Sequence, residues 1–264
     1  MNWLQRPIAA PFVQRLRQAA DFGSADLASL AAIGAELRSV DSNTNFLAEG
    51  PRGGAIHVLL EGWAARFKIL VNGSRQIPAL LLPGDICDID ALHLDRLDWG
   101  TTALTPVTVA AISRDKLIQL IDRQSGVRAA IGRMAAVENA VATQWAVCLG
   151  RRSARERLAH LLCELFVRLE AVRAAGDSGF TLPLTQEEIA DVLGLTAVHV
   201  NRTLQNLRSD GLIQLRDHRL TVPDMQALRG LAGFDGLYLH LPDKERVAGS
   251  VGPEGSAAIA GAAA

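Results

Sequence analysis

The fold class expected from the sequence is α+β: an antiparallel β unit, then a long helix, then a C-terminal winged helix-turn-helix. Three observations predict it. Between Leu37 and Ile112, short apolar runs alternate with Gly, Pro and Asn breaks, the rhythm of an antiparallel sheet. Between Gly126 and Leu149 there is no proline, alanine is plentiful, and apolar residues recur every three or four positions, as on one helix face. Between Leu184 and Val222, two short helices with capping residues precede two short strands. The 264-residue length suits about two domains of ordinary size.

In chain order, Pro11 to about Ile33 reads as a helical lead-in. Phe12, Val13 and Leu16 share one face, and Ser24 with Asp26 starts a second short helix at Leu27. The β unit follows as IHVLLEG, AARFKILV, IPALLLPGD and VTVAAIS, and Asn72-Gly73 predicts a tight two-residue hairpin turn. In the long helix, Met134, Val137 or Glu138, Val141, Trp145 and Cys148 form an apolar seam. A seam of that length wants a partner, and the economical one is the same helix of a second copy. The alternative is that this face packs only on its own β unit. Gly150-Arg151-Arg152-Ser153 then reads as a hinge, with Ser153 capping a helix through Ala174. The expected divisions are 1–125 (sensor β unit with N-terminal helices), 126–150 (dimerisation helix), 151–240 (winged helix) and 241–264 (a disordered tail).

Composition removes several classes of function. With 49% hydrophobic and 21% charged residues, the chain is not held open by charge. A count of 27 basic and 28 acidic residues leaves −1, so contact with nucleic acid must come from a local basic face. No apolar run approaches the ~20 residues of a bilayer span, and the N-terminus lacks a signal pattern, so the expected location is the cytoplasm with no membrane partner. Cys87, Cys148 and Cys163 have no CxxC spacing and read as reduced, packed thiols. The six histidines form no HxH or HExxH pair, and neither GxSxG nor GxxxxGK[ST] occurs, so catalysis on a β-roll is the remote alternative.

Function concentrates in Leu184–Val222. Thr185 and Glu188 form a capping box for a helix that buries Ile189, Ala190 and Leu193. Gly194 ends it, and Thr196 caps a second helix with Val200, Leu204 and Leu207 inward. Leu212 to Leu215, a break at Arg216-Asp217-His218-Arg219, and Leu220 to Val222 make the wing. Between Thr196 and Arg219, four arginines against two aspartates leave +2, a local phosphate-binding surface. A helix-turn-helix used only for protein contacts, in a dimeric scaffold, is the competing reading.

EEIADVLGLTAVHVNRTLQNLRSDGLI resembles the helix-turn-helix of the bacterial Crp/Fnr transcription regulators, relatives of the cyclic-AMP receptor protein. Pro83-Gly84-Asp85, Ala110-Ala111-Ile112-Ser113 and the Arg151-to-Leu165 segment match the same family in order, so the resemblance spans about Leu37 to Val222. It implies a cyclic-nucleotide-binding-type β-roll, a dimerisation helix and a winged helix. It also implies a homodimer that reads an inverted repeat in promoter DNA and works with RNA polymerase. Arg202 falls at the family's main base-reading position, suited to guanine O6 and N7. Asn201 suits adenine or a phosphate. Val198 suits a thymine methyl where better-known members carry glutamate. Thr196, Ala197 and Arg208 are further DNA-binding candidates on the same helix and its cap; His199 faces a phosphate or solvent. Thr185, Gln186, Arg216 and His218 are candidate phosphate contacts.

The effector side departs from the family. Asp88-Ile89 stands where nucleotide-binding relatives carry Gly-Glu, and Leu97-Asp98 where they carry Arg-Ser. Asp85, Asp88, Asp90, Asp95 and Asp98 would repel a phosphate, with Arg96 the nearby basic residue, which argues against cyclic AMP. The candidate effector residues are Gly84, Asp85, Cys87, Asp88, Ile89, Trp99, Thr101 and Thr102. The iron–sulfur branch places cysteines near its N-terminus, whereas the first here is Cys87, which argues against a cluster. Cys87, Asp88, Asp90, His93, Asp95 and Asp98 are of metal-ligand types without a metal-site spacing. His57, His93 or a cysteine is the candidate axial ligand for a haem. The effector stays open, as small molecule or none ahead of metal and redox.

Overall fold

The computed structural model describes residues 2–176 and 179–242. The expected disordered tail therefore falls, beyond residue 242, outside the described residues. Two helices open the chain, α1 (Ala10–Ala19) and α2 (Ser24–Ala32), with Phe12 and Leu16 buried. The second begins three residues earlier than expected. Asp26 reaches back to accept from the Gly23 amide at 3.2 Å, so the first turn closes at Ser24.

Nine strands follow: β1 (Glu36–Val40), β2 (Asn45–Leu47), β3 (Gly50–Pro51), β4 (Ala55–Glu61), β5 (Ala64–Ile69), β6 (Arg75–Leu81), β7 (Arg96–Leu97), β8 (Gly100–Ala103) and β9 (Val107–Ser113). All pair antiparallel, in the orders β1-β9-β4 and β2-β8-β5-β6, with β3-β7 as a short separate ladder. Leu59, Val107 and Val109 of one sheet meet Ala64, Leu81 and Ala103 of the other in the roll interior. The β5–β6 loop corrects the expected two-residue turn. Gly73 donates to Leu70 O at 2.9 Å and Leu70 donates to Ser74 O at 2.8 Å, closing a three-residue loop. Only Gly73 takes positive φ (83°) there, because a type I turn followed by one left-handed residue needs a single glycine.

After α3 (Arg114–Arg123) comes α4 (Ser125–Arg151), then α5 (Ala154–Ala171), capped reciprocally by Ser153 and Glu156. The apolar seam expected to meet a second copy turns inward. Trp145 and Cys148 are buried in the chain's own core, with Trp145 Nε1 donating to Glu164 of α5 at 3.0 Å. Met134 and Val141 pack partly buried against the two main clusters, and Val137 lines a cavity under the β-roll. Trp145 and Cys148 thus serve intramolecular packing, on α5 as well as on the β-roll. The opposite side of α4 exposes Gly132, Ala136, Asn139, Thr143 and Ala146, spaced four and three apart.

The winged helix comprises β10 (Gly179–Thr181), α6 (Gln186–Leu193), α7 (Ala197–Ser209), β11 (Gln214–Arg216) and β12 (Arg219–Thr221). A further helix, α8 (Met225–Ala232), is followed by a 3-10 turn at Leu237–Leu239. This part is not free of the β-roll. Arg168 of α5 bonds Asp85 at 2.8 Å, Leu80 O at 3.0 Å and Glu164 at 3.2 Å, while Arg15 of α1 bonds Asp85 from the other side at 2.7 Å. Arg75 of β6 pairs with Asp191 of α6 at 2.6 Å. The largest core runs from Trp63, Ile77 and Leu80 of the roll through α5 into the winged helix. Among the described residues, no helix is long and apolar enough to cross a membrane.

Candidate nucleic-acid interface

Each functional side chain is set by a local device that the sequence encodes. The capping box forms as expected: Thr185 Oγ1 accepts from the Glu188 amide at 3.1 Å, and Glu188 accepts from the Thr185 amide at 2.7 Å. The Thr185 hydroxyl also donates to Glu188 at 3.0 Å. It is thus spent on the cap, and what this terminus offers an anion is the first-turn amides beside exposed Gln186. Gly194, at φ 63°, ends α6 in the left-handed conformation, and Thr196 caps α7 by accepting from the His199 amide at 3.2 Å.

Once α7 buries Val200, Thr203, Leu204 and Leu207, helical geometry decides what faces outward. Val198 is 82% exposed, an uncommon position for a β-branched apolar side chain. Arg202, one turn on, is exposed and has no hydrogen-bond or ion-pair partner among the described residues. Asn201 is half-buried and donates from its amide to Gln186 Oε1 of α6 at 3.0 Å, so these two candidates act as a pair. Ala197 and His199 are half-buried at the start of the helix, and Arg208 is exposed near its end. Asp210 is neutralised by Arg155 of α5, which leaves this face more basic than the local sum of +2.

The wing is tighter than the sequence suggested. Asp217 (φ 48°) and His218 (φ 60°) alone form the turn, so Arg216 and Arg219 are paired strand residues rather than part of the break. β10 adds a third strand that the sequence reading missed; the short GFT run carried too little periodicity to signal it. Arg216 and His218 are exposed at the tip.

The effector candidates separate. Gly84, at φ 94°, abuts Pro11 O of α1 so closely that a side chain would not fit, a structural role. Cys87 is fully buried, with burial pushing its thiol well up; Thr101 and Thr102 are buried in β8. Asp88 is 2% exposed and bonds the amide and Nδ1 of His57, both at 2.7 Å. Asp85 is the inter-domain anchor, held below the usual carboxylate range against its burial by Arg15 and Arg168. Of the eight, Asp85, Ile89 and Trp99 line a cavity of about 410 Å³ between the roll, α4 and α5. Arg66 and Glu138 line it too, and Arg66 was missed although a charge inside an apolar strand run signals a buried partner. The metal candidates disperse likewise, Asp95 pairing with Arg52 at 2.6 Å. Among the described residues, no three His, Cys, Asp or Glu side chains converge on a metal position.

With this geometry in view, the likeness to known proteins is specific. Residues 37–124 match the model of the cyclic nucleotide-binding domain, and residues 156–231 match that of the Crp-like helix-turn-helix domain. The chain is 31% identical over 202 residues to the transcriptional activator protein FnrL of Cereibacter sphaeroides, covering 75% of this chain and 81% of that one. It is 32% identical over 174 residues to the nitrogen fixation regulation protein FixK of Bradyrhizobium diazoefficiens, covering 66% and 72%. The solved structure of FixK2 from Bradyrhizobium japonicum superposes with a TM-score of 0.70 at 25% identity, covering 76% of this chain and 98% of that one. Two domain types in the same order, and a relative matched over most of its length, make this chain a member of the Crp/Fnr family of DNA-binding transcription regulators.

Proposed function

We propose that the protein acts as a homodimer that reads an inverted repeat in promoter DNA in the cytoplasm, without catalysing a reaction. The observation that carries this reading is the outward stripe of α7, where exposed Val198 and unpartnered Arg202 lie one turn apart. Arg202 offers two parallel donors to guanine O6 and N7, Val198 an apolar contact to a thymine methyl, and Asn201 an amide edge to adenine. Gln186, the first-turn amides of α6, Arg208, Arg216 and His218 hold phosphates and set register without reading sequence. The chains associate along the exposed α4 stripe of Gly132, Ala136, Asn139, Thr143 and Ala146, whose small side chains permit close helix approach. That pairing sets two recognition helices about 34 Å apart, one turn of DNA. RNA polymerase is the partner that a promoter-bound activator engages, and FnrL, a transcriptional activator, supports that direction.

Selection of bound fragments from a random duplex library by the purified protein tests this. An enriched two-fold repeat is expected. Arg202→Ala should lose the preference for that site by about 1–3 kcal/mol while keeping weak, salt-sensitive binding to any duplex. Normal discrimination by the variant would remove Arg202 from the reading role.

A further inference from the structure

The β-roll buries a cation that DNA reading does not use. Arg66, on β5, is 6% exposed among apolar neighbours, and burial pulls its pKa down against the opposing pull of Asp90. Every arm of its guanidinium is employed. Nε donates to Cys87 O at 2.8 Å, one terminal nitrogen donates to Ile86 O at 3.3 Å, and the other pairs with Glu138 of α4. The Trp99 ring lies 4.9 Å from its Cζ, on the cavity side. One ion pair thus ties the roll segment after Pro-Gly-Asp to the middle of the long helix. Asp90, on the same cavity wall, is pushed up by burial against the opposing pull of Arg66.

A buried guanidinium at the junction of β-roll and helix is where an anionic ligand would deliver its charge. Cyclic nucleotide, the ligand for which the matching domain type is named, does not fit the residues present. Asp88 is committed to His57, Leu97 is buried at 4% exposure, and each of the three Arg66 nitrogens already has a protein partner. A cyclic phosphate would have to expel Glu138 from Arg66 and sit beside Asp90, leaving a carboxylate unpaired in a poorly hydrated place.

We propose that Glu138 is a built-in substitute for an anionic effector, holding Arg66 so that α4 stays closed on the β-roll with no phosphate bound. This rests on the DNA-reading role proposed above, because α4 leads directly into the hinge at Arg152 and thence to the winged helix. The consequence is a regulator whose DNA affinity needs Glu138 and ignores cyclic nucleotides. An anionic effector entering the cavity would meet charges that are already paired or that repel it.

The full-length protein, Glu138→Gln and Glu138→Ala are titrated with a duplex carrying the selected site. Each titration is run with and without millimolar cyclic AMP, and with acetate exchanged for chloride at matched ionic strength. Cyclic AMP should leave wild-type affinity unchanged. Glu138→Gln, which keeps the shape and removes the charge, should bind the site about tenfold more weakly, an ordinary coupling between sites. Glu138→Ala should weaken similarly and recover most of its affinity in acetate, which refills the space beside Arg66. The proposal is overturned if Glu138→Gln binds as the wild type does, if cyclic AMP raises wild-type affinity, or if acetate fails to restore a folded Glu138→Ala. Should Glu138→Ala not fold, Glu138→Gln decides. A wild-type protein that enriches no site would instead refute the DNA-reading role.

Discussion

At the scale of single residues, His160 shows how burial converts sequence into pH dependence. It is fully buried on α5, and both ring nitrogens are engaged. Nδ1 faces Arg152, and Nε2 meets the Tyr238 hydroxyl at 2.9 Å, which itself donates to Glu164 at 2.7 Å. That pattern requires a neutral ring with its proton on Nε2. Burial, and then the Arg152 charge, hold its pKa down at about 3, with Asp235 pulling weakly the other way. The folded value lies below the unfolded one of about 6.5, so between the two the unfolded chain binds a proton that the folded chain refuses. Stability therefore falls as pH drops through that range, by roughly 2 to 3 kcal/mol at about pH 4.5. The urea midpoint of the wild type should drop more steeply between neutral and acid pH than that of His160→Gln. Parallel profiles would show that His160 is not the titrating group. Sequence alone offered His160 as one of six histidines; its neutrality depends on Arg152, Tyr238 and burial, none of them readable from its neighbours.

Elements were legible where a local rule governs them. The caps at Thr185, Thr196 and Ser153 form as read, because a side chain bonding an amide three residues on needs no distant partner. Turn geometry was less legible. Asn72-Gly73 marks a hairpin correctly but not its loop length, and the wing turn at Asp217-His218 lacks the glycine that usually announces two left-handed residues. The third wing strand exists because β10 finds β12 across the intervening α6, α7 and β11. Its Gly179 packs so tightly on Leu220 O that an added Cβ would stand 2.2 Å from it. Gly179→Ala should therefore pry β10 off the wing and lower stability by about 1–3 kcal/mol, seen as a lower urea midpoint. It should also weaken binding to any duplex alike, since the wing holds phosphates rather than bases. An unchanged midpoint would mean that the strand yields at no cost.

For the whole molecule, α4 poses the question of which face meets a second copy. Its large residues answer to the chain's own core, so Trp145→Phe should alter the melting temperature and leave the association constant nearly untouched. Ala136, on the exposed small-residue stripe, should behave the opposite way. Ala136→Glu places like charges together across a two-fold seam, and sedimentation should show a folded monomer that has lost affinity for the inverted repeat. A dimer of unchanged strength would move the interface elsewhere.

The sequence by itself determined the order of parts, the family, and the outward residues of α7. Caps, periodicity and turn residues act within a few positions, and burying one helix face leaves the other to solvent. Only the tertiary structure decided which stripe of α4 is core, which acidic residues are spent on arginines or histidine, and that Arg66 meets Glu138 across 72 positions of chain. These are pairings between distant segments, and a hydrophobic or charged residue carries no mark of which distant surface will cover or neutralise it.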